Sequence, residues 1–329
     1  MALPLVADDV EFGDAVAALQ NYSLITATKD AISVHRLVQM ILRDRLTKDD
    51  EKKWAEAAAQ LLYDAFSSHQ DGRTTRPSCA ALMPHVLHAK EHAERLGITS
   101  DTVAALLNVA GWCLQDQADF STARLFHEQA LKIRRAVYGD EHPSVATSLN
   151  NLGVVLEKLG DYARAKKCHE EALGIYETLY GDKDPSVATS LNNLGLVLYE
   201  LGDYAQAKEQ FEHAIRIYKA VCGDGHPEAA TSIDNLGLVF MTLGGYAQAK
   251  KCHERALTIK RTVFGKNHPS VATSLYHLGL VLWSMGDHAK AKKHLEQALA
   301  IRRAVYGSKH PNTLEVLYSL RYTGGATRR

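Results

Sequence analysis

The chain has 329 residues, 38 basic and 38 acidic side chains, and 46% apolar residues. That balance describes a folded chain and excludes a disordered polymer or a chain-wide basic field for nucleic acid. The neutrality is uneven: residues 1–101 carry 11 basic and 15 acidic groups, 102–249 carry 12 and 19, and 250–329 carry 15 and 4. A partner running along the chain is expected to be charged in the opposite sense. No apolar run approaches a membrane span. The start, Met1-Ala2-Leu3-Pro4-Leu5-Val6, lacks a basic region and meets Asp8-Asp9 too early for a signal peptide. Cys79, Cys113, Cys168, Cys222 and Cys252 form no CxxC pair and are odd in number, which reads as reduced thiols in a cytoplasmic protein.

In chain order, residues 12–20 suggest a short helix. Tyr22 to Thr26 and Ala31 to Val34 alternate like two strands around the polar turn Ala27 to Asp30. His35 to Leu46 is an amphipathic helix with Leu37, Ile41 and Leu42 inside. Helix, hairpin, helix is the last part of a winged helix. The run Ala18-Leu19-x-x-Tyr22-Ser23-Leu24-Ile25, then Val34-His35-Arg36-Leu37-Val38-Gln39, resembles the winged helix that closes the NB-ARC module of STAND-type signalling ATPases. The resemblance implies that His35 is the remnant of a nucleotide-sensing Met-His-Asp motif, with Arg36 replacing the Asp. The plainer reading is a helix-start histidine with no ligand. No GxxxxGK[ST] loop occurs, so the phosphate cradle is missing and no nucleotide or other cofactor is expected. By this resemblance, residues 1–48 are a winged-helix-like remnant and the chain is the C-terminal portion of a larger ATPase.

Residues 49–101 read as a helical linker, with helices at about 50–67 and 80–96. His85, His88 and His92 share one helical face there, and His88 and His92 have metal-ligand spacing. No cysteine or carboxylate completes a set, so the expectation is a histidine-rich exposed face without metal.

From 102 to 311 one unit repeats every 42 residues: His142-Pro143, Asp184-Pro185, His226-Pro227, His268-Pro269 and His310-Pro311 mark it. Gly111, Gly153, Gly195, Gly237 and Gly279 form a second series, and Gly139, Gly181, Gly223, Gly265 and Gly307 a third. Each unit reads as two helices. In one, Leu149, Leu152 and Leu156 have helical spacing; in the next, Ala165, Ala172, Leu173, Tyr176 and Leu179 form the inner stripe. A mid-helix Gly costs about 1 kcal/mol against Ala. Its recurrence points to helices that approach closely at the missing Cβ. Residues 312–321 read as a cap, and 322–329 as a frayed tail after Gly324-Gly325.

Leu191-Asn-Asn-Leu194-Gly195-Leu-Val-Leu198, with Ala207 and Phe211, resembles the tetratricopeptide repeat, and the 42-residue unit resembles the variant of kinesin light chains. The fold implied is an all-α superhelix, a solenoid in which stacking buries a face that one unit cannot bury alone. In that family the first helices line a concave groove. The slots that the resemblance places there hold Asn108, Asn150, Asn192, Asp234 and Tyr276, with Asn151, Asn193, Asn235 and His277 beside them. Amides in a row either pair with an extended peptide backbone or bond between adjacent repeats. One turn on, Gln115, Glu157, Tyr199, Met241 and Trp283 run from polar to apolar. They either anchor a ligand or pack on the next repeat.

His127, His169 and His253 recur at a slot that also holds Phe211 and Leu295, which argues for packing, not a metal or catalytic cluster. Cys168, Cys222 and Cys252 substitute for ordinary packing residues, and no Ser, His and Asp set stands out, so no catalysis is expected. Lys290, Lys292, Lys293, Arg302 and Arg303 suit an acidic partner better than a specific nucleic-acid site, because no exposed aromatics interleave them. The sequence therefore reads as a protein-interaction module with no membrane association. It takes a peptide with an apolar anchor and acidic neighbours, as the sensor or scaffold of a STAND-type ATPase. A kinesin-light-chain-like cargo adaptor is the alternative, though residues 1–101 show no sustained heptads. A metal-dependent enzyme is the weakest option.

Overall fold

The computed structural model describes residues 25–27, 32–34, 46–67 and 75–326. Strands β1 (Ile25–Ala27) and β2 (Ile32–Val34) pair antiparallel, with Ile25 opposite Val34 and Ala27 opposite Ile32. The helices expected at 12–20 and 35–46, with His35, lie outside the described residues.

Helix α1 (Lys48–Ser67) starts at Thr47, whose hydroxyl accepts from the Asp50 N–H at 3.2 Å. It packs on α2 (Thr75–Leu96), and both lean on α3 (Asp101–Asp116). Cys79 of α2 and Cys113 of α3 are joined in a disulfide, which corrects the reading of five reduced thiols. Nothing in the spacing announced it, because the two are 34 residues apart and meet only when α2 docks on α3. Cys168, Cys222 and Cys252 are free.

Ten antiparallel helices make five repeats. Repeat 1 is α3 with α4 (Phe120–Tyr138), and repeat 2 is α5 (Pro143–Lys158) with α6 (Tyr162–Tyr180). Repeat 3 is α7 (Pro185–Glu200) with α8 (Tyr204–Cys222). Repeat 4 is α9 (Pro227–Thr242) with α10 (Tyr246–Phe264), and repeat 5 is α11 (Pro269–Ser284) with α12 (His288–Tyr306). The cap is α13 (Pro311–Ala326), a helix that runs on through Gly324 and Gly325 where a frayed tail was expected.

The turns follow from residue chemistry. At the second turn of each repeat the residue before proline is held extended and caps the next helix. His142, His226, His268 and His310 accept through Nδ1 from the N–H two residues on, and Asp184 does so through a carboxylate oxygen. At the first turn Gly160 has φ +79°, and Ala118 occupies the same position in repeat 1 at φ +63°. A Cβ in that left-handed conformation is strained. The following Asp119, Asp161, Asp203 and Asp287 cap the second helices, whereas Gly245 of repeat 4 makes no side-chain cap.

Within each repeat the glycine of the first helix receives a ring or branched side chain from the second. A Cβ at Gly195 would lie 2.7 Å from Phe211, and the same seat is filled by His127, His169, His253 and Leu295 elsewhere. Leu149, Leu152, Leu156, Ala165, Ala172 and Tyr176 are buried around such a contact. Leu179 is not: at 42% exposed it lies outside the stripe assigned to it.

The solenoid curls until its last turn touches its first repeat. His310, after capping α13 with Nδ1, donates from Nε2 to the Asp116 carbonyl at 3.1 Å, 194 residues away. The loop Tyr306–Pro311 thus lies against Gln117 and Ala80.

Two stability outcomes follow from the glycine positions. Gly195→Leu should cost on the order of 1–3 kcal/mol by overpacking Phe211, read as a lower melting midpoint. Ala118→Gly and Gly245→Asp should each stabilise by about 0.5–1 kcal/mol, the first by relieving the left-handed Cβ and the second by restoring a cap. An unchanged midpoint in all three would refute these packing and capping assignments.

Candidate functional site: the inner wall of the solenoid

First helices of consecutive repeats meet one another, α5 with α7, α7 with α9 and α9 with α11, and so form the inner wall. Their mid-helix amides do not all face the same way. Asn108, Asn150, Asn192 and Asp234 are buried, and so are Asn151 and Asn235, while Asn193 is half-buried. Asn108 and Asn150 donate to Ser148 and Ser190 of the next repeat at 3.0 and 2.8 Å. Asn192 Oδ1 accepts from Ser232 and Asn235, each at 3.0 Å. Of the two readings of this row, the structure supports the bond between repeats. The same side chains accept from buried imidazoles: His127 Nδ1 lies 2.9 Å from Asn108 Oδ1, and His169 Nδ1 2.8 Å from Asn150 Oδ1. An amide oxygen only accepts, so each Nδ1 carries the proton. Gln115 completes the first set, 3.1 Å from His127 Nε2. Burial holds His127 and His169 down at about 4.

Repeat 4 charges this network. Asp234 accepts from His253 at 2.6 Å, Ser274 at 2.7 Å and Lys260 at 2.9 Å, with His277 3.5 Å away. Burial alone would raise its pKa, but Lys260 and the two histidines hold it well below the usual carboxylate range. Asp234, His253 and His277 place three ligand atoms within 4.8 Å of one another, which is the geometry of a metal site. The Lys260 ammonium already neutralises that carboxylate, and a dication beside it would leave excess buried charge. Tyr276, assigned to the groove from sequence, is buried under the Arg302 guanidinium, 5.1 Å from its ring, and meets Ser319 at 3.2 Å.

Two openings remain on the wall. A polar one of about 340 Å³ is lined by Asn150, Asn151 and Asn193 with Trp112 and Glu228. Asn151 is buried, at 9% exposure, and makes no hydrogen bond among the described residues; Asn193 is half-buried and Trp112 is 47% exposed. The other, about 890 Å³, gathers Met241, Tyr246, Leu280, Trp283 and Tyr318, with Arg321 at its rim. Tyr199 stands beside it, its hydroxyl 2.8 Å from Thr242. Trp283 is braced by the His288 ring at 4.0 Å. Of the residues lining the two openings, the sequence reading picked Asn150, Asn151, Asn193, Met241 and Trp283 and missed Trp112, Tyr246, Tyr318 and Arg321. A signal existed for one of them: Trp112 stands where later repeats hold Val154, Leu196, Leu238 and Leu280. His85, His88 and His92 lie on an apolar groove between α1 and α2, away from this wall.

A family profile described as Tetratricopeptide repeat matches residues 101–178, 144–220, 186–262, 228–304 and 272–320. No curated protein matches the chain. Among solved structures, that of BtubC (BKLC) from P. vanneervenii is 24% identical, with a TM-score of 0.53 over 71% of this chain and 92% of that one. A Podosopora anserina putative kinesin light chain with nearly identical TPR-like repeats is 21% identical, with a TM-score of 0.49 over 63% of this chain and 99% of that one. No helix among the described residues is long and apolar enough to cross a membrane.

The buried imidazoles set an acid limit. The unfolded chain takes up their protons near pH 6.5, whereas folded His127 and His169 resist to about 4. Their contribution to stability is therefore full above pH 6.5 and lost as pH falls towards 4, by about 1.4 kcal/mol per pH unit for each histidine. His169→Phe, which copies the seat of Phe211, should flatten the fall of the melting midpoint across that window. A variant as acid-sensitive as the parent would show that His169 does not titrate as described.

Proposed function

The chain belongs to the tetratricopeptide repeat family, and we propose that it is a non-catalytic scaffold that holds an extended polypeptide along its inner wall. The observation that carries the reading is the pairing of two different openings on one wall. Asn193, half-buried on the polar opening, offers an amide group to a peptide backbone whatever its side chains, and the buried Asn151, which has no hydrogen bond among the described residues, lines the same opening. Met241, Trp283 and Tyr318 offer a seat for an apolar anchor, with Arg321 placed for an acidic neighbour. Residues 250–329, with 15 basic and 4 acidic groups, favour acidic segments at that end.

Within this reading the chain serves as the sensor part of a STAND-type ATPase, supported by the likeness around Val34-His35-Arg36, or as a kinesin-light-chain-like cargo adaptor, supported by the 42-residue period. A P-loop encoded upstream of Met1 would decide for the first. The Cys79–Cys113 disulfide withdraws the argument from reduced thiols to a cytoplasmic location.

The test is selection of binders from a random peptide library. Selected peptides should carry an aromatic or Leu anchor flanked by Asp or Glu, and weaken as salt rises. Trp283→Ala should weaken them about tenfold or more, Asn193→Ala by less. If both variants bind the selected peptides as the parent does, the inner wall is not the reading surface.

A further inference from the structure

The edge made by the turns from second to first helices carries an exposed aliphatic stripe that takes no part in the groove. Leu179, Val221 and Val263 hold the same position in repeats 2, 3 and 4 and are 42%, 54% and 47% exposed, and the stripe runs on through Val137 and Val305 of repeats 1 and 5. Tyr180, Cys222 and Phe264 follow them and are also exposed, though Tyr180 stacks on Tyr176 and Phe264 on His268. Aliphatic side chains left in water at one place in successive repeats form a stripe suited to contact with protein. The charges that flank it invert. Leu179 lies between Glu177 and Asp182, and Val263 lies between Arg261 and Lys266, at the same two positions. All four charged groups are exposed, and none is in an ion pair among the described residues. Lys183 stands in the same turn of repeat 2, outnumbered by Glu177, Asp182 and Asp184. In repeat 3, between these two, Val221 is flanked by Lys219 and Asp224, which meet at 3.3 Å; Arg255 also reaches Asp224, at 3.2 Å.

We propose that two copies of this chain pair through this edge about a two-fold axis beside repeat 3. Repeat 2 of each copy then lies on repeat 4 of the other. Run antiparallel, Glu177 meets Lys266 of the second copy, Asp182 meets its Arg261, and Leu179 packs on its Val263. At the axis Lys219 and Asp224 exchange with their own counterparts. A two-fold contact must be self-complementary, and a charge pattern that inverts about its midpoint is so by construction. The aliphatic stripe gives nothing to a phosphodiester chain, and half of the edge would repel one, so a second copy fits better than nucleic acid. The inner wall stays open in this arrangement.

Sedimentation of the full chain tests it. A dimer should form in low salt and dissociate as salt rises. Arg261→Glu with Lys266→Glu should be monomeric, and so should Glu177→Arg with Asp182→Lys. An equimolar mixture of the two should recover the dimer, because each then presents to the other the charges its own edge lacks. Mild oxidation with diamide should link the parent dimer covalently through Cys222 and fail in Cys222→Ser. Trp283→Ala, a groove variant, should dimerise as the parent does, which separates this contact from the groove. The proposal is overturned by a parent that stays monomeric, by dimers that ignore the reversals, or by a mixture that stays monomeric. Assemblies that grow past the dimer, or a dimer dispersed by a single-stranded oligonucleotide, would overturn it equally.

Discussion

The contact on which the rest of this molecule depends is the seating of one side chain of each second helix on the bare backbone of a first-helix glycine. Phe211 on Gly195 and Leu295 on Gly279 are its apolar forms, and His127, His169 and His253 its polar ones. Because the seat is the same size each time, the two helices of every repeat approach to the same depth. The repeats therefore stack in register. An array built from nearest-neighbour contacts transmits any irregularity along its length. Constancy at the seat leaves the outer slots free to vary.

The choice between phenylalanine and histidine at that seat has a second consequence. A histidine brings an Nδ1–H that must be satisfied in the core, and it is met by Asn108, Asn150 or Asp234. Where Phe211 replaces the histidine, Asn192 Oδ1 is released and accepts from Ser232 and Asn235. The amide row is thus tied to the seat and belongs mainly to the core. Burial of each Nδ1–H is tolerated because it finds an acceptor, and Gln115 also meets Nε2 of His127, whereas Nε2 of His169 and His253 is buried without a partner among the described residues.

This interdependence explains what could be read from the sequence. The period, the turn prolines and the close-contact glycines are local signals and gave helix number, pairing and packing. The direction of an asparagine is not local. Asn150 and Asn151 are buried neighbours with the same chemistry and both line the polar opening, yet only Asn150 bonds to Ser190 across the stack. Only the position of the next repeat separates them. The same holds for Cys79 with Cys113 and for His310 with Asp116, which meet through docking and superhelical curl. Trp112 and Tyr318 were overlooked for a related reason: at an array's ends a slot that is covered elsewhere is left open.

Repeat 4 shows how far the units remain interchangeable. Replacing the neutral slot of Asn192 by Asp234 would bury a bare carboxylate, which costs several kcal/mol unless paired. The compensation stands one helix away, where Lys260 occupies the slot of Tyr176 and Tyr218. Its ammonium reaches both Asp234 and Ser274, whose counterpart Ser190 meets Asn150 with no cation beside it. Arg134 does comparable work in repeat 1, joining Asp101 to Ser148. The cation at this slot therefore bridges three consecutive helices, while a tyrosine there bonds within its own repeat, as Tyr176 does to Thr147. Junctions bridged by a cation are tied to the next repeat by charge, and the junction of repeats 4 and 5 is one of them. It holds α9 and α11 together, the two helices that carry Met241 and Trp283. The apolar end of the groove is thus mounted on a tightly cross-linked junction, and rigid mounting is what an anchor pocket needs to hold a side chain without first ordering itself.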